Sequence, residues 1–156
     1  MTHEIPTLIE QFLGQRRIAL VGASRNRNAF SRKLLREFVR HGYDMVPVNP
    51  HVSEMDGVVC WPHMLAIQPP VEGALLLTSR EATYHVLLDC YEAGIRRVWL
   101  YGISGPRDVS VGAMEFCATH GIDVVPGFCP FMFLPNPGFV HRFHRSVMRL
   151  VGTYPR

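Results

Sequence analysis

The sequence predicts a doubly wound α/β fold, with a five-stranded parallel sheet between two layers of helices. Three observations predict it. Apolar runs of strand length alternate with helical patterns along the whole chain. Three times a helical pattern closes on a glycine and a strand begins within a few residues, at His41-Gly42-Tyr43, Ala93-Gly94-Ile95 and His120-Gly121-Ile122. The run Arg17-Ile18-Ala19-Leu20-Val21 ends in Gly22-Ala23-Ser24 shortly before a helix. Glycine after a helix accepts the left-handed conformation and permits a tight return, and short returns of this kind imply parallel strands covered on both faces. With right-handed crossovers the most economical strand order is 3-2-1-4-5.

Each element has its own signal. Ile5, Leu8, Ile9, Phe12 and Leu13 recur at helical spacing and stop at Gly14, a lead-in helix over 1–14. After the first strand, Phe30, Leu34, Leu35, Phe38 and Val39 mark a helix ended by Gly42. The second strand is Asp44 to Val48, with pairing expected to lapse at Pro47, which has no N–H to donate. The third is Gly73 to Leu77, followed by a capping box of Thr78 and Glu81 that opens a helix reaching Gly94. Arg97 to Tyr101 is the fourth strand, Ser110 to His120 a helix, and Ile122 to Val125 the fifth strand. A C-terminal extension over 131–156 carries an amphipathic helix. Its Phe139, Phe143, Val147 and Leu150 share one side, and Arg142, Arg145 and Arg149 the other. That helix would dock on its own sheet, a second subunit or another protein, while its length and few aromatics speak against membrane attachment.

Composition sets the bounds. The 156 residues suit one domain with one buried core, and 47% hydrophobic against 19% charged residues is a globular composition. Sixteen Lys and Arg against 13 Asp and Glu give a net charge of +3, too mild to predict nucleic-acid binding. Met1 to Pro6 lacks the pattern of an export signal and no apolar run reaches membrane-span length. The cytoplasm, with Cys60, Cys90, Cys117 and Cys129 reduced, is the expected location.

In such a fold ligands bind beyond the carboxyl ends of the strands, where the strand order reverses. That edge gathers Gly22-Ala23-Ser24, Asn49-Pro50, Thr78-Ser79, Tyr101-Gly102 and Gly127 to Pro130. A helix N-terminus with open N–H groups suits a phosphate, and Arg25, Arg27, Arg32 and Lys33 lie within ten residues of Ser24. The dinucleotide fingerprint is absent, because Gly22 stands alone and no carboxylate ends the second strand. A phosphate-cradling Gly-Lys-Ser/Thr loop is absent as well. A solvated basic loop remains the plain alternative for the cations.

The ordered set Gly22-Ala23-Ser24, Gly42-Tyr43, Val46-Pro47-Val48-Asn49-Pro50, Val98-Trp99-Leu100 and Cys129-Pro130 resembles the stand-alone CoA-binding proteins. These are Rossmann-like proteins similar to the CoA-binding domain of succinyl-CoA synthetase α subunits and ADP-forming acyl-CoA synthetases. The resemblance runs from Leu13 to Arg149. It implies coenzyme A or acyl-CoA binding with no established reaction, in a sensing, carrying or regulatory role. It places Gly22, Ala23 and Ser24 at the CoA pyrophosphate and Asn49 and Pro50 beside the adenosine. Arg25, Arg27 and Lys33 become candidates for the 3′-phosphate. Thr78, Gly102 and Cys129 complete the candidate site on the same strand edge.

Two further readings stay open: an enzyme acting on a CoA thioester through the Cys129 thiol, and an NAD(H)-responsive regulator using the same edge. No histidine–carboxylate pair accompanies Cys129 in sequence. Cys60-x2-His63 and His141-x2-His144 are too far apart to read as a zinc site. Cys90, Cys117 and Trp99 read as core, and His41 and His120 as side chains that bond the last carbonyls of their helices.

Overall fold

The computed structural model describes residues 3–102, 105, 107 and 109–134. The C-terminal helix expected over 139–150 lies outside the described residues. Helix α1 (Ile5–Leu13) precedes β1 (Arg17–Val21), α2 (Phe30–Arg40) and β2 (Asp44–Val48). A two-stranded hairpin, β3 (Glu54–Met55) and β4 (Val58–Val59), and a 3-10 turn (Met64–Ala66) lead to β5 (Gly73–Leu76). Then come α3 (Arg80–Glu92), β6 (Arg97–Leu100), α4 (Val111–Thr119), β7 (Asp123–Pro126) and a 3-10 turn (Pro130–Met132).

The five long strands form one parallel sheet between two helical layers, so the predicted doubly wound class stands. Alternate side chains of each strand feed opposite cores, as a two-residue period requires. Ile18, Leu20, Leu75, Trp99 and Val125 pack with Ile9 and Phe12 of α1 and Leu34, Leu35 and Phe38 of α2. Ala19, Val21, Leu76, Val98 and Leu100 pack with Leu87 and Cys90 of α3 and Phe116 and Cys117 of α4. Trp99 is fully buried; its Nε1 donates to the Phe128 carbonyl at 2.8 Å and its ring meets Phe12 edge-on at 5.4 Å. Satisfying the indole N–H is what lets so large a side chain sit mid-sheet.

The strand order corrects the expectation. The sheet runs β2-β1-β5-β6-β7, so the third long strand lies beside the first and not beside the second. The reason lies at the outer edge of β2. There the returning chain pairs with it: the Trp61 N–H donates to the Pro47 carbonyl and the Asn49 N–H to the Trp61 carbonyl, both at 2.9 Å. With that edge covered, β5 pairs with the free side of β1. Pairing also does not lapse at Pro47, which sits opposite Leu20. Its carbonyl faces the outer edge, so its missing N–H falls there too and breaks no bond to β1.

The returns behave as predicted. Gly42, Gly94 and Gly121 have φ of 86°, 79° and 65°, and the His41 and His120 Nδ1 atoms each lie 2.8 Å from a carbonyl one turn back, Glu37 and Phe116. The cap of α3 is displaced by one residue. Ser79, not Thr78, is the N-cap, its Oγ accepting from the Ala82 N–H at 3.3 Å.

Candidate functional site

The order β2-β1-β5 puts the reversal point between the carboxyl ends of β1 and β5, and a cleft opens there. Its volume is about 480 Å3, walled by Gly22, the start of α2 (Ala29, Phe30, Ser31), the exit of β5 (Leu77, Thr78, Ser79) and Tyr101 and Gly102 beyond β6. Gly22 is obligatory. Its φ is +92°, and a Cβ there would stand 2.3 Å from the Leu77 carbonyl oxygen. The close approach exists because the Leu77 N–H continues the ladder onto the Val21 carbonyl at 2.8 Å, drawing the two turns together.

From Gly22 the chain is folded by its own short polar side chains. The Ser24 N–H donates to Ser31 Oγ at 2.9 Å, the Asn26 N–H to Ser24 Oγ at 3.1 Å and the Asn28 N–H to Asn26 Oδ1 at 3.0 Å. These Asx- and Ser-type turns deliver the chain to Ala29, the N-cap of α2, which has no side chain able to cap. Phe30 and Ser31 of its first turn line the cleft, and among the described residues their N–H groups have no protein acceptor, while the Arg32 N–H bonds the Ala29 carbonyl at 3.1 Å. A helix start of this kind carries partial positive charge and open donors, the requirements of an anion site.

Two rings and a hydroxyl add to the lining, from Phe30, Tyr101 and Thr78. The Phe30 and Tyr101 rings stack at 5.0 Å and 27°, and Phe131 meets Phe30 edge-on at 5.6 Å. Thr78 Oγ1 lies 2.7 Å from Thr83 Oγ1, and Thr83 gives its proton to the Ser79 carbonyl. Thr78 is thus the donor of that pair, and its remaining lone pairs are the hydrogen-bonding capacity it retains.

The predicted site residues separate into groups. Gly22, Thr78 and Gly102 line the cleft. Ala23 is buried, and its carbonyl accepts from Asn49 Nδ2 at 2.8 Å, while Asn49 Oδ1 accepts from the His51 N–H. Asn49 therefore clamps the β1 and β2 turns together. Pro50 is exposed beside it, and Ser24 is half-buried with its hydroxyl turned into its own loop. Arg25, Arg27 and Lys33 are exposed and outside the cleft walls, Arg27 with 82% of its side chain accessible. Cys129 is half-buried at the start of the last 3-10 turn, not on the cleft wall. Burial pushes its thiol up, with the Phe131 and Met132 N–H groups pulling weakly the other way.

Arg32 departs most from its expected place among the free cations. It is 5% exposed, and its Nε donates to Asp56 Oδ2 at 2.9 Å. Its Nη1 reaches the Ser24 and Arg25 carbonyls at 3.3 and 3.4 Å. Asp56 also takes Arg36 at 3.3 Å and, at the limit of contact, Arg27 at 4.0 Å. The hydrogen bond from Arg32 and the charges of Arg32 and Arg36 hold the Asp56 carboxyl below its usual range, outweighing its burial. Sequence reading missed Asp56 altogether. The available signal was Asp56-Gly57: both have positive φ, 49° and 78°, and they form the two-residue turn joining β3 to β4.

Among the described residues no group of three or more His, Cys, Asp or Glu side chains gathers as a metal site, and no helix is long and apolar enough to cross a membrane.

A family model described as a CoA binding domain matches residues 16–135. The chain belongs to that family. No curated protein sequence matches it. Among solved structures it is similar to a conserved hypothetical protein of Pyrococcus furiosus, with 26% identity and a TM-score of 0.66 over 73% of this chain and 95% of that one. A hypothetical protein of Pyrococcus horikoshii OT3 gives 24% identity and a TM-score of 0.72, over 83% and 92%. The apo form of a dinucleotide forming acetyl-coenzyme A synthetase 1 from Ca. Korarchaeum cryptofilum gives 23% and 0.64, over 74% of this chain but only 27% of that one. This CoA-binding domain thus has the fold of a stand-alone protein and of one portion of a much larger enzyme.

Proposed function

We propose that this CoA-binding domain holds coenzyme A or an acyl-CoA in the cleft between β1 and β5, as a cytoplasmic sensing, carrying or regulatory module without a reaction of its own. One observation carries the reading: the backbone passes Gly22 where no Cβ fits, and the uncapped start of α2 opens on the same cleft. A pyrophosphate is the group such a turn accommodates. Arg25, Arg27 and Lys33 stand outside, exposed, where they are available to the 3′-phosphate. The aromatic stack of Phe30 on Tyr101 offers a flat apolar surface for the remaining, uncharged part of the ligand.

The alternatives have less behind them. A thioester-cleaving role needs a thiolate, and the Cys129 thiol is raised by burial. An NAD(H) role lacks the ribose clamp, since Asn49 occupies the tip of β2 and its amide is engaged by Ala23 and His51.

Calorimetry with CoA, dephospho-CoA and NADH tests the proposal. CoA binds, dephospho-CoA binds about tenfold more weakly because one charge-assisted contact is gone, and NADH does not displace CoA. Equal affinity for CoA and dephospho-CoA removes the three cations from the site, and no CoA binding at all removes the function.

A further inference from the structure

The hairpin β3–β4 does not line the cleft, yet through Arg32 of α2 it is tied to the turn that starts at Gly22 on the cleft wall. Asp56 sits at the tip of that hairpin in the left-handed region, which a non-glycine residue adopts at some strain and aspartate tolerates better than most. The pose carries its carboxylate, 14% exposed, onto the Nε of buried Arg32. Arg32 in turn draws the Ser24 and Arg25 carbonyls toward itself. Arg36, held by the same carboxylate, takes the Arg27 carbonyl through both terminal nitrogens at 3.3 Å. Three carbonyls of the turn that leaves β1 are thereby aimed at α2 arginines anchored on a single acid.

A trans peptide is planar, so its carbonyl and the next N–H point in opposite directions. Fixing the Ser24 carbonyl on Arg32 therefore turns the Arg25 N–H away from α2, and among the described residues that N–H has no acceptor. Without Arg32 the carbonyls of the turn, each carrying partial negative charge, would be free to rotate toward a bound anion and repel it. Lysine would not substitute, because one ammonium cannot serve the Asp56 carboxylate and two separate carbonyls in the planar geometry of a guanidinium.

We propose that Asp56 and Arg32 are positioning residues for the anion-binding turn, so that the hairpin, remote from the ligand, sets affinity for its pyrophosphate. This rests on the CoA reading above. Neither residue needs to touch the ligand; each acts through the orientation of the peptide planes from Ser24 to Arg27.

The test is CoA titration of the wild-type protein, Asp56→Asn, Arg32→Lys and Trp99→Phe, each well below its own unfolding temperature. Trp99→Phe loses a buried hydrogen bond to Phe128 that involves no residue of the turn and serves as a purely destabilised control. Asp56→Asn and Arg32→Lys weaken CoA by about tenfold or more, while Trp99→Phe binds as wild type. In the ligand-free state the Arg25 amide resonance of Asp56→Asn moves, and in Trp99→Phe it stays. Wild-type binding retained within twofold by both Asp56→Asn and Arg32→Lys overturns the positioning role and leaves the CoA reading intact. Equal weakening in Trp99→Phe also overturns it, because the effect is then general stability. No binding by wild type sinks the CoA reading itself, and this proposal with it.

Discussion

The Leu77 carbonyl oxygen occupies the space that a side chain on Gly22 would need, 2.3 Å from where its Cβ would stand. The contact joins the exits of the first and third long strands, and the cleft begins where they meet.

Gly22→Ala therefore carries two penalties, a positive φ and a backbone collision. Strain in this region is about 1–3 kcal/mol, and the collision adds to it, so chemical denaturation is expected to show a loss of at least about 2 kcal/mol together with loss of CoA binding. Gly42→Ala is the comparison. Its φ is also positive, 86°, but no atom lies within 4 Å of the added carbon. It costs about 1–2 kcal/mol and leaves binding unchanged. Similar behaviour of the two variants would show that the close approach at Gly22 has no consequence.

The thiols offer a second check. Burial raises the Cys60 and Cys129 thiols and lifts Cys90 and Cys117 to about 12. Since the thiolate is the reactive form, native protein at neutral pH should be alkylated by iodoacetamide far more slowly than a free thiol, and all four cysteines should react once it is unfolded. Incubation with acetyl-CoA should leave the intact mass unchanged. Rapid acetylation lost in Cys129→Ser would restore the enzymatic reading.

Asp56 predicts an acid dependence. Its folded carboxyl titrates below the unfolded value of 3.8, so its stabilisation is complete above that value and disappears as pH falls through the lowered folded one. The groups facing it are Arg27 from the turn and Arg32 and Arg36 from α2, all cationic throughout this range. Asp56→Asn leaves Arg32 buried without its counter-charge. The variant should be less stable than wild type by about 3 kcal/mol at pH 7, with the gap narrowing below about pH 4. A gap independent of pH would mean that the carboxylate charge contributes nothing.

Ser79→Ala removes the observed cap of α3 and should lower stability by about 1 kcal/mol, read by thermal denaturation. Thr78→Ala leaves that cap in place. A larger effect at Thr78 would return the cap to the residue that the sequence suggested.

That single-residue error illustrates what the sequence conceals. Thr78 and Ser79 are both competent N-caps, and the choice depends on where β5 releases the chain, at Leu76, one residue before the end of its apolar run. Local signals were otherwise legible. Gly14 after α1, the glycines after α2, α3 and α4, the buried Trp99 and the Gly22 turn follow from chain geometry within a few residues. Strand order was not, because it hinges on Trp61 closing the edge of β2, a contact across 14 residues with no periodicity to announce it. The same holds for Arg32. Of the four cations near Ser24, it alone is buried, and its partner Asp56 lies 24 residues away in a hairpin too short to show alternation. Tyr101 was legible on the ligand edge, but its stacking partner Phe30 read only as a helix position, since the two rings meet only once the sheet has formed.

The central claim is most directly tested by a crystal structure of the protein grown with coenzyme A. The account predicts ligand density in the cleft between β1 and β5, with the pyrophosphate within hydrogen-bonding distance of the Gly22–Ser24 turn and the first N–H groups of α2. Coenzyme A bound elsewhere, or a cleft holding only solvent at saturating ligand, would contradict it.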